Sequence, residues 1–288
     1  GQYVSPTVLS SVLNHPSGDR LKAEVGSEEH LTLFFSDLRG FTAITEQYPV
    51  QTVVQALNAY LSRMVSIIFT QGGTLDKFIG DAIMAFWGAP LPDQYQHHRA
   101  VSAALEMQAA MASLNNDGSN RGYPQLRMGI GIHSGDVILG NIGSTKKLDY
   151  TVIGDSVNFT ARLESLTKFY QAGILISEAT HRHVGADFCC RAVDRVCVQG
   201  KTEPIQIYEV LDFADTKNEA LRHLARLSTE GFGRYRERDF GGALELYDRL
   251  RQLYPQDQVG RLFTTRCKDY LDSPPPATWR GEFVCQNK

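Results

Sequence analysis

The sequence predicts an α+β fold whose core runs strand, helix, strand, strand, helix, strand. Short apolar runs with β character, such as "LTLFFSD" at 31–37, stop at glycine or acidic residues. Two long segments between such runs place apolar residues three and four positions apart, as helices covering a sheet require. In "TLDKFIGDAIMAFW", at 74–87, Gly80 and Asp81 separate two strand-like runs as in a tight hairpin. This βαββαβ order is that of ferredoxin-like folds.

The individual elements follow from local patterns. The first strand stops at Asp37, a short helix opens after Gly40, and a long helix is predicted from Val50 to about Gln71. After the hairpin we expect a helix over 93–115, strands within 126–133, 136–143 and 148–154, a helix over 155–169 and a strand within 173–180. In this topology the first strand and the hairpin end side by side, which would bring Asp37 and Asp81 together.

Segments of different composition flank this core. Residues 1–28 are interpreted as a connector and 29–213 as the main domain. Residues 214–272 have helical spacing and are similar to about one tetratricopeptide (TPR) unit, with two helices. One such unit cannot bury both of its faces alone, so we expect it to pack on the main domain or on a partner chain. The proline-rich residues 273–288 predict an extended, poorly ordered tail.

Composition narrows the possible functions. The 288 residues carry a net charge of -3, which gives no general attraction for nucleic acid. Five cysteines, an odd number with no CxxC pair, indicate neither a zinc site nor a disulfide framework and favour a reducing compartment. No run of about 18 apolar residues predicts a transmembrane helix. Because Gly1 stands where Met would start a complete chain, we expect a fragment of a longer protein.

Two aspartates and a glycine are the first candidates for chemistry. Asp37 and Asp81, placed at strand ends beside glycines, are hard oxygen ligands suited to magnesium on a triphosphate. A single aspartate at a turn is more often only a turn residue, so spacing alone leaves both interpretations open. In "DLRGFT" the glycine before a helix exposes backbone N–H groups to an anion. His133 could act as a base, although a structural role is commoner at such a position.

Four motifs in register resemble the catalytic domain of class III nucleotidyl cyclases over Glu29 to Leu211. They are "LFFSDLRGFTAITEQ", "TLDKFIGDAIMAFWGAP", "MGIGIHSGDVILGNIGS" and "DYTVIGDSVNFTARLE". The flanks resemble bacterial adenylate cyclases in which an extracytoplasmic CHASE2 sensor and transmembrane helices precede the catalytic domain. The resemblance therefore implies a cytoplasmic domain of a membrane-anchored protein, with the sensor and membrane region outside this chain.

The resemblance also implies a metal site and phosphate contacts. Asp37, Asp81 and the Leu38 carbonyl would hold two Mg²⁺ ions per site, for which Mn²⁺ can substitute. Further positions match the parts of the family that contact the phosphates: the backbone of Gly40, Phe41 and Thr42, and the side chain of Lys201.

The remaining matched positions imply the substrate contacts. Lys77 and Thr151 align with residues that bind the purine, Asn158 with the one that orients the ribose, and Arg162 with the one that stabilises the phosphate in the transition state. Lysine and threonine suit adenine, whose N1 accepts and whose amino group donates, whereas guanine would favour a carboxylate in place of Lys77. Many members of the family have aspartate at the position of Thr151. The threonine is typical of a bacterial subgroup of the family.

The resemblance implies a homodimer with active sites between two chains, so that one hairpin supplies Asp81 to one site and Lys77 to the other. The expected reaction converts ATP to 3′,5′-cyclic AMP and pyrophosphate. Three alternatives stay open: a guanylate cyclase, a cyclase-like domain that binds without catalysis, and a diguanylate cyclase. Lys77 speaks against the first, the intact set of site residues against the second, and the absence of a GG[DE]EF hairpin against the third.

Overall fold

The computed structural model describes residues 26–119, 122–144, 147–197 and 204–283. The chain forms two compact units, one that ends at Ser165 and one that begins at Leu166. The first unit contains β1 (Ser27–Leu38), α1 (Phe41–Gln47), α2 (Val50–Thr70), β2 (Thr74–Ile79), β3 (Ala82–Trp87), α3 (Gln96–Ser119), β4 (Met128–Ser144) and β5 (Lys147–Ile153). Helix α4 (Asp155–Tyr170) runs through the division. The second unit contains β6 (Ile174–Ser177), α5 (Glu178–Val184), β7 (Phe188–Val196), β8 (Ile205–Phe213), α6 (Glu219–Arg236), α7 (Phe240–Leu253), α8 (Gln258–Asp272) and β9 (Glu282–Phe283).

The sheet of the first unit confirms the predicted ferredoxin-like core. Its strands lie in the order β2, β3, β1, β4, and each neighbouring pair is antiparallel. The second half of β4 extends beyond this core and pairs with β5. Helix α2 packs against α3, and α3 against β1, β3 and β4. The order places the carboxyl end of β1 beside the turn between β2 and β3.

Helix α2 begins at Val50 as predicted and ends one residue before the predicted end. Its buried side chains recur at helical spacing: Val53, Ala56, Tyr60, Met64, Ile67 and Ile68. Among the described residues it is the one helix long and apolar enough to cross a membrane. Length and composition are weak grounds for a membrane span, since a helix packed in a protein core passes the same test.

Strand β4 corrects the sequence prediction at Gly135, where two separate strands were expected. It is one continuous strand, and His133 lies buried in its middle with its ring against Phe159, so the expected strand end at His133 is wrong. A Cβ atom on Gly135 would lie 2.6 Å from Ser156 Oγ, and one on Gly131 would meet the backbone N of Glu164. These glycines therefore do not end the strand. They let α4 pack closely on it.

The second unit joins a sheet to the helical extension. Its strands lie in the order β6, β8, β7, β9. The extension has three helices, α6 to α8, one more than the TPR-like pattern predicts. Helix α6 packs on β7, so the extension covers a strand of the predicted main domain. Buried ion pairs also join β7 to α8. Asp194 lies 2.6 Å from Arg266 of α8, and Arg191 lies 2.6 Å from Asp257, the N-cap residue of α8.

The expected poorly ordered tail is wrong for residues 273–283. The Trp279 ring lies in an aromatic cluster, with centroid distances of 5.1 Å to Tyr235 and 5.4 Å to Tyr270, and β9 pairs with β7. The prediction rested on the proline-rich composition and gave no weight to Trp279, whose large aromatic side chain packs on the extension. Residues 284–288, and residues 1–25 of the predicted connector, lie outside the described part of the chain. The predicted domain limits stay predictions.

Candidate active site

Asp37 and Asp81 meet at the end of the first unit's sheet. Asp37 follows the β1–β3 pair Ser36 and Ile83, and Asp81 follows Gly80, whose φ of 66° makes the tight turn before β3. The two carboxyl groups share a hydrogen bond. Burial and the neighbouring charge of Asp81 raise the pKa of Asp37 to about 6. Two acidic side chains thus face each other where ionising both is costly.

The backbone turn predicted to contact phosphate lies directly after β1. Gly40 has φ 69° and precedes α1, which begins at Phe41 and Thr42. A Cβ atom on Gly40 would meet nothing within 4 Å, so the turn opens to space on that side. The first N–H groups of a helix lack acceptors within the helix, which suits them to an anion. The phosphate contacts of these residues stay predictions.

Glu164 is an acidic neighbour of this site that the sequence analysis did not single out. It lies on α4, and burial and the charge of Asp37 raise its pKa to about 7. The charge of Arg39 opposes that rise. No local pattern in the sequence marks it, because its place beside the acidic group depends on the close packing of α4 on β4 at Gly131. No group of three or more histidine, cysteine or acidic side chains placed to hold a metal ion occurs within the described ranges.

Lys77 and Thr151 form a second group, 74 residues apart in sequence. Lys77 Nζ donates to Thr151 Oγ1 at 3.2 Å, and Thr151 Oγ1 donates to Asp76 Oδ2 at 2.6 Å. Lys77 Nζ also lies 3.2 Å from Asp76 Oδ1. The Lys77 side chain is 40% exposed and that of Asp76 is fully buried. The structure thus brings the two predicted purine contacts together and adds a third residue that the sequence analysis missed.

Helix α4 carries the other predicted substrate contacts. It begins two residues after β5 and presents Asn158 and Arg162, one turn apart, as exposed residues. Lys201 lies outside the described residues, and its role stays a prediction. The site residues on the strands therefore fall into two groups. The acidic group lies at the ends of β1 and the hairpin, and the group on β2 and β5, which is predicted to bind the base, is called the base-binding group below.

The family model for the adenylate and guanylate cyclase catalytic domain matches residues 23–211. The chain belongs to the class III nucleotidyl cyclase family. This match covers well over half of the chain and includes both groups of site residues. It establishes the catalytic domain and leaves the choice between adenine and guanine nucleotides to the residues themselves.

The curated relatives of this chain include adenylate cyclases. The terminal-differentiation-specific adenylate cyclase of Dictyostelium discoideum is 35% identical over 82% of the chain, and the adenylate cyclase of Anabaena cylindrica is 38% identical over 71%. The chain spans only 11% and 41% of these two relatives. The activity and partners of the whole protein are therefore matters of proposal.

Solved cyclase structures resemble the chain closely and include both specificities. The adenylyl cyclase CyaB from P. aeruginosa superposes with a TM-score of 0.62 and 37% identity, covering 65% of this chain and 96% of CyaB. The guanylyl cyclase Cya2 superposes with a TM-score of 0.60 and 38% identity, covering 67% of this chain and 98% of Cya2. Such similar values show that overall similarity does not separate the two substrates.

Proposed function

We propose that the chain is an adenylate cyclase, which converts ATP to 3′,5′-cyclic AMP and pyrophosphate at sites formed between two copies of the chain. The observation that carries this proposal is the hydrogen bond between Lys77 and Thr151. An ammonium group can donate to adenine N1, and a hydroxyl oxygen can accept from the adenine amino group. Guanine offers a donor at N1 and an acceptor at O6, and an ammonium has no lone pair for that N1–H.

The acidic group fits two magnesium ions. Asp37 and Asp81 present oxygen atoms, the ligands that Mg²⁺ prefers, and their mutual repulsion would be relieved by a cation. Asp37, Asp81 and the Leu38 carbonyl would hold the ions and leave other positions to phosphate and water. When bound, Mg²⁺ supplies Lewis-acid chemistry that acidifies the ribose 3′-hydroxyl and neutralises the triphosphate. Mn²⁺ would substitute.

The chain's own residues position the substrate. Lys77 and Thr151 hold the adenine, and Asn158 orients the ribose so that its 3′-oxygen attacks the α-phosphorus in line with departing pyrophosphate. Arg162 donates to the phosphoryl oxygens as negative charge grows on them. No side-chain general base is invoked. The backbone after Gly40, together with Lys201, completes the phosphate contacts in this proposal.

Exposed apolar side chains near both groups support the two-chain site. Phe78 and Ile79 lie between Lys77 and Asp81, and Leu148 and Ile153 flank Thr151 on β5. Apolar side chains beside polar catalytic residues indicate a surface that a second chain covers. In this arrangement the acidic group of one chain faces the base-binding group of the other.

The test is cyclic nucleotide formation by the purified chain with ATP or GTP, in Mg²⁺ and in Mn²⁺, over a range of protein concentrations. We expect cyclic AMP from ATP, at a rate that rises faster than linearly with protein concentration, and no product from Asp37→Asn. Equal turnover of GTP would favour a guanylate cyclase. A folded dimer that forms no product in Mn²⁺ would favour a binding module without catalysis.

Mixing two inactive variants tests whether each site is shared. Asp37→Asn removes the acidic group, and Arg162→Ala removes a residue of helix α4, which follows the base-binding strand β5. Arg162 is exposed, whereas Lys77 balances the buried Asp76, so the Arg162 variant disturbs the fold less. Mixed heterodimers would carry one intact site, and activity should return. Failure to regain any activity in proven heterodimers would contradict the shared site.

We also propose that the chain is the cytoplasmic part of a membrane-anchored protein with an upstream sensor. The greater length of its curated relatives allows such regions. Fractionation of cells that express the full-length protein tests the proposal. Recovery of all cyclase activity in the soluble fraction would contradict it.

A further inference from the structure

Asp76 is a buried carboxyl group directly behind the predicted base contacts. In a regular strand Asp76 and its neighbour Lys77 would point to opposite faces of the sheet. The pairing of β2 with β3 shifts register between Leu75 and Lys77, as at a β-bulge, and both side chains contact Thr151. This local irregularity is what places the carboxyl group within hydrogen-bond distance of the threonine.

The hydrogen bonds of Thr151 limit what its hydroxyl can offer a ligand. A hydroxyl has one hydrogen and two acceptor lone pairs. The hydrogen goes to Asp76 Oδ2 at 2.6 Å, and one lone pair accepts from Lys77 Nζ at 3.2 Å. Burial raises the pKa of Asp76, whereas the Thr151 hydrogen bond and the Lys77 charge favour its ionised, acceptor-only form. Thr151 thus keeps a single lone pair for the nucleotide.

We propose that Asp76 is a specificity-determining positioning residue that, by holding the Thr151 proton, makes this hydroxyl accept the 6-amino group of adenine and reject a 6-oxopurine. The inference rests on the proposed function, because it requires that Lys77 and Thr151 bind the base. Adenine places its N1 acceptor against the ammonium and its amino donor against the free lone pair. A 6-oxopurine places a donor against the ammonium and an oxygen against an oxygen.

The test measures kcat/KM of the full 288-residue chain and of Asp76→Asn with three triphosphates. These are ATP, inosine triphosphate, which has the 6-oxo edge, and purine riboside triphosphate, which keeps N1 and lacks the 6-amino group. An asparagine amide can donate to Thr151 Oγ1 and release the threonine proton. We expect kcat/KM for ATP to fall about tenfold, the lower range for a mismatched base-edge contact. The value for purine riboside triphosphate should stay within about twofold, because Asp76 acts through the amino group.

A purely structural role gives a different result. An equal fall for ATP and purine riboside triphosphate, or an unchanged ratio of ATP to inosine triphosphate, would overturn the proposal. Asp136→Asn, at an exposed carboxylate on β4, is the matched control and should change no ratio. If circular dichroism shows that Asp76→Asn does not fold, Asp76→Ala replaces it with the same expected pattern. Wild-type chain that makes no cyclic AMP, or that uses inosine triphosphate as well as ATP, would contradict the proposed function itself.

Discussion

Buried acids of the second unit each lie against an arginine, whereas the acids at the end of the first unit's sheet lie against each other. Asp194 is 2.6 Å from Arg266, and both side chains are buried. Asp37 lies against a second carboxyl group, that of Asp81, and burial together with the charge of Asp81 raises the pKa of Asp37 to about 6. A buried acid neutralised within the chain serves the fold, and acids left to repel one another suit a bound cation.

Glu209 and Asp257 extend the same contrast. Both lie 2.6 Å from the buried Arg191, so a single guanidinium neutralises a strand residue and the N-cap residue of α8. In the first unit, Glu164 adds a third acid, whose pKa burial and the charge of Asp37 raise to about 7. We therefore expect substitutions in the two units to separate activity from stability.

The largest expected effect is on catalysis. Asp37→Asn should lower cyclic AMP formation by about 10³-fold or more, because the metal contribution it removes is worth several kcal/mol. In metal-free buffer above pH 7 the same change should leave the melting temperature unchanged or raise it, since it removes a like-charge contact. Activity assays and thermal unfolding in chelator check both parts. A variant that melts well below the wild type would show that Asp37 serves the fold instead.

The second expected effect is on stability. Arg266→Met leaves Asp194 buried without its counter-charge and should destabilise the protein by about 3–5 kcal/mol. Arg222→Met is the matched control, because Arg222 pairs with Glu219 at the exposed surface of α6 and should contribute at most about 1 kcal/mol. Thermal and denaturant unfolding of both variants measures the difference. Adding Asp194→Asn to Arg266→Met should restore part of the loss, and no restoration would argue against the ion pair as its cause.

The smallest expected effect is a shift of the acid limb of the pH profile. Asp37 without metal is protonated below a pH of about 6, and a protonated carboxyl group cannot bind the cation. Activity should therefore fall as pH drops through this range. Raising Mg²⁺ tenfold should move the limb to lower pH, by at most about one unit, because the cation binds the ionised form. If the acid limb stays at the same pH when Mg²⁺ is raised, the titrating group is not Asp37.

The stability of the metal-free protein should follow the same pKa in the opposite sense. Folding raises the pKa of Asp37 above its ordinary value of 3.8, so the folded state binds the proton more tightly than the unfolded state. The resulting destabilisation is fully present above a pH of about 6 and disappears as pH falls below the unfolded value. Any advantage of Asp37→Asn in melting temperature should vanish over that interval.

The sequence was sufficient where the structure follows local patterns. Apolar periodicity and turn residues set helix α2, the hairpin at Gly80 and Asp81, and the end of β1, which lies at Leu38, one residue after the predicted end at Asp37. The pairing of the hairpin with β1 follows from the element order, and it brings Asp37 and Asp81 together. The contact of Lys77 with Thr151, in contrast, was available only through the family resemblance, because no local pattern joins strands so far apart in sequence.

Close packing of a helix on a strand and irregular strand pairing could not be predicted from the sequence. The sequence predicts a break at Gly135, whereas this glycine continues β4 where α4 approaches too closely for a side chain. Asp76 was missed because strict alternation in β2 would direct it away from Lys77, and the register shift that overrides alternation has no signature in residue type. The composition around Trp279 predicts a poorly ordered tail, because the neighbouring prolines dominate it.

Lys77 has two roles, and together they limit which substitutions this enzyme can accept at position 77. Its ammonium faces the proposed base site and also balances the fully buried Asp76 3.2 Å away. An acidic residue in place of Lys77 is the change that would suit guanine. It would put two carboxylates side by side and leave that of Asp76 buried without a counter-charge. A change of specificity from adenine to guanine must therefore alter both Asp76 and Lys77. A single substitution at position 77 would destabilise the fold even if it improved the recognition of guanine.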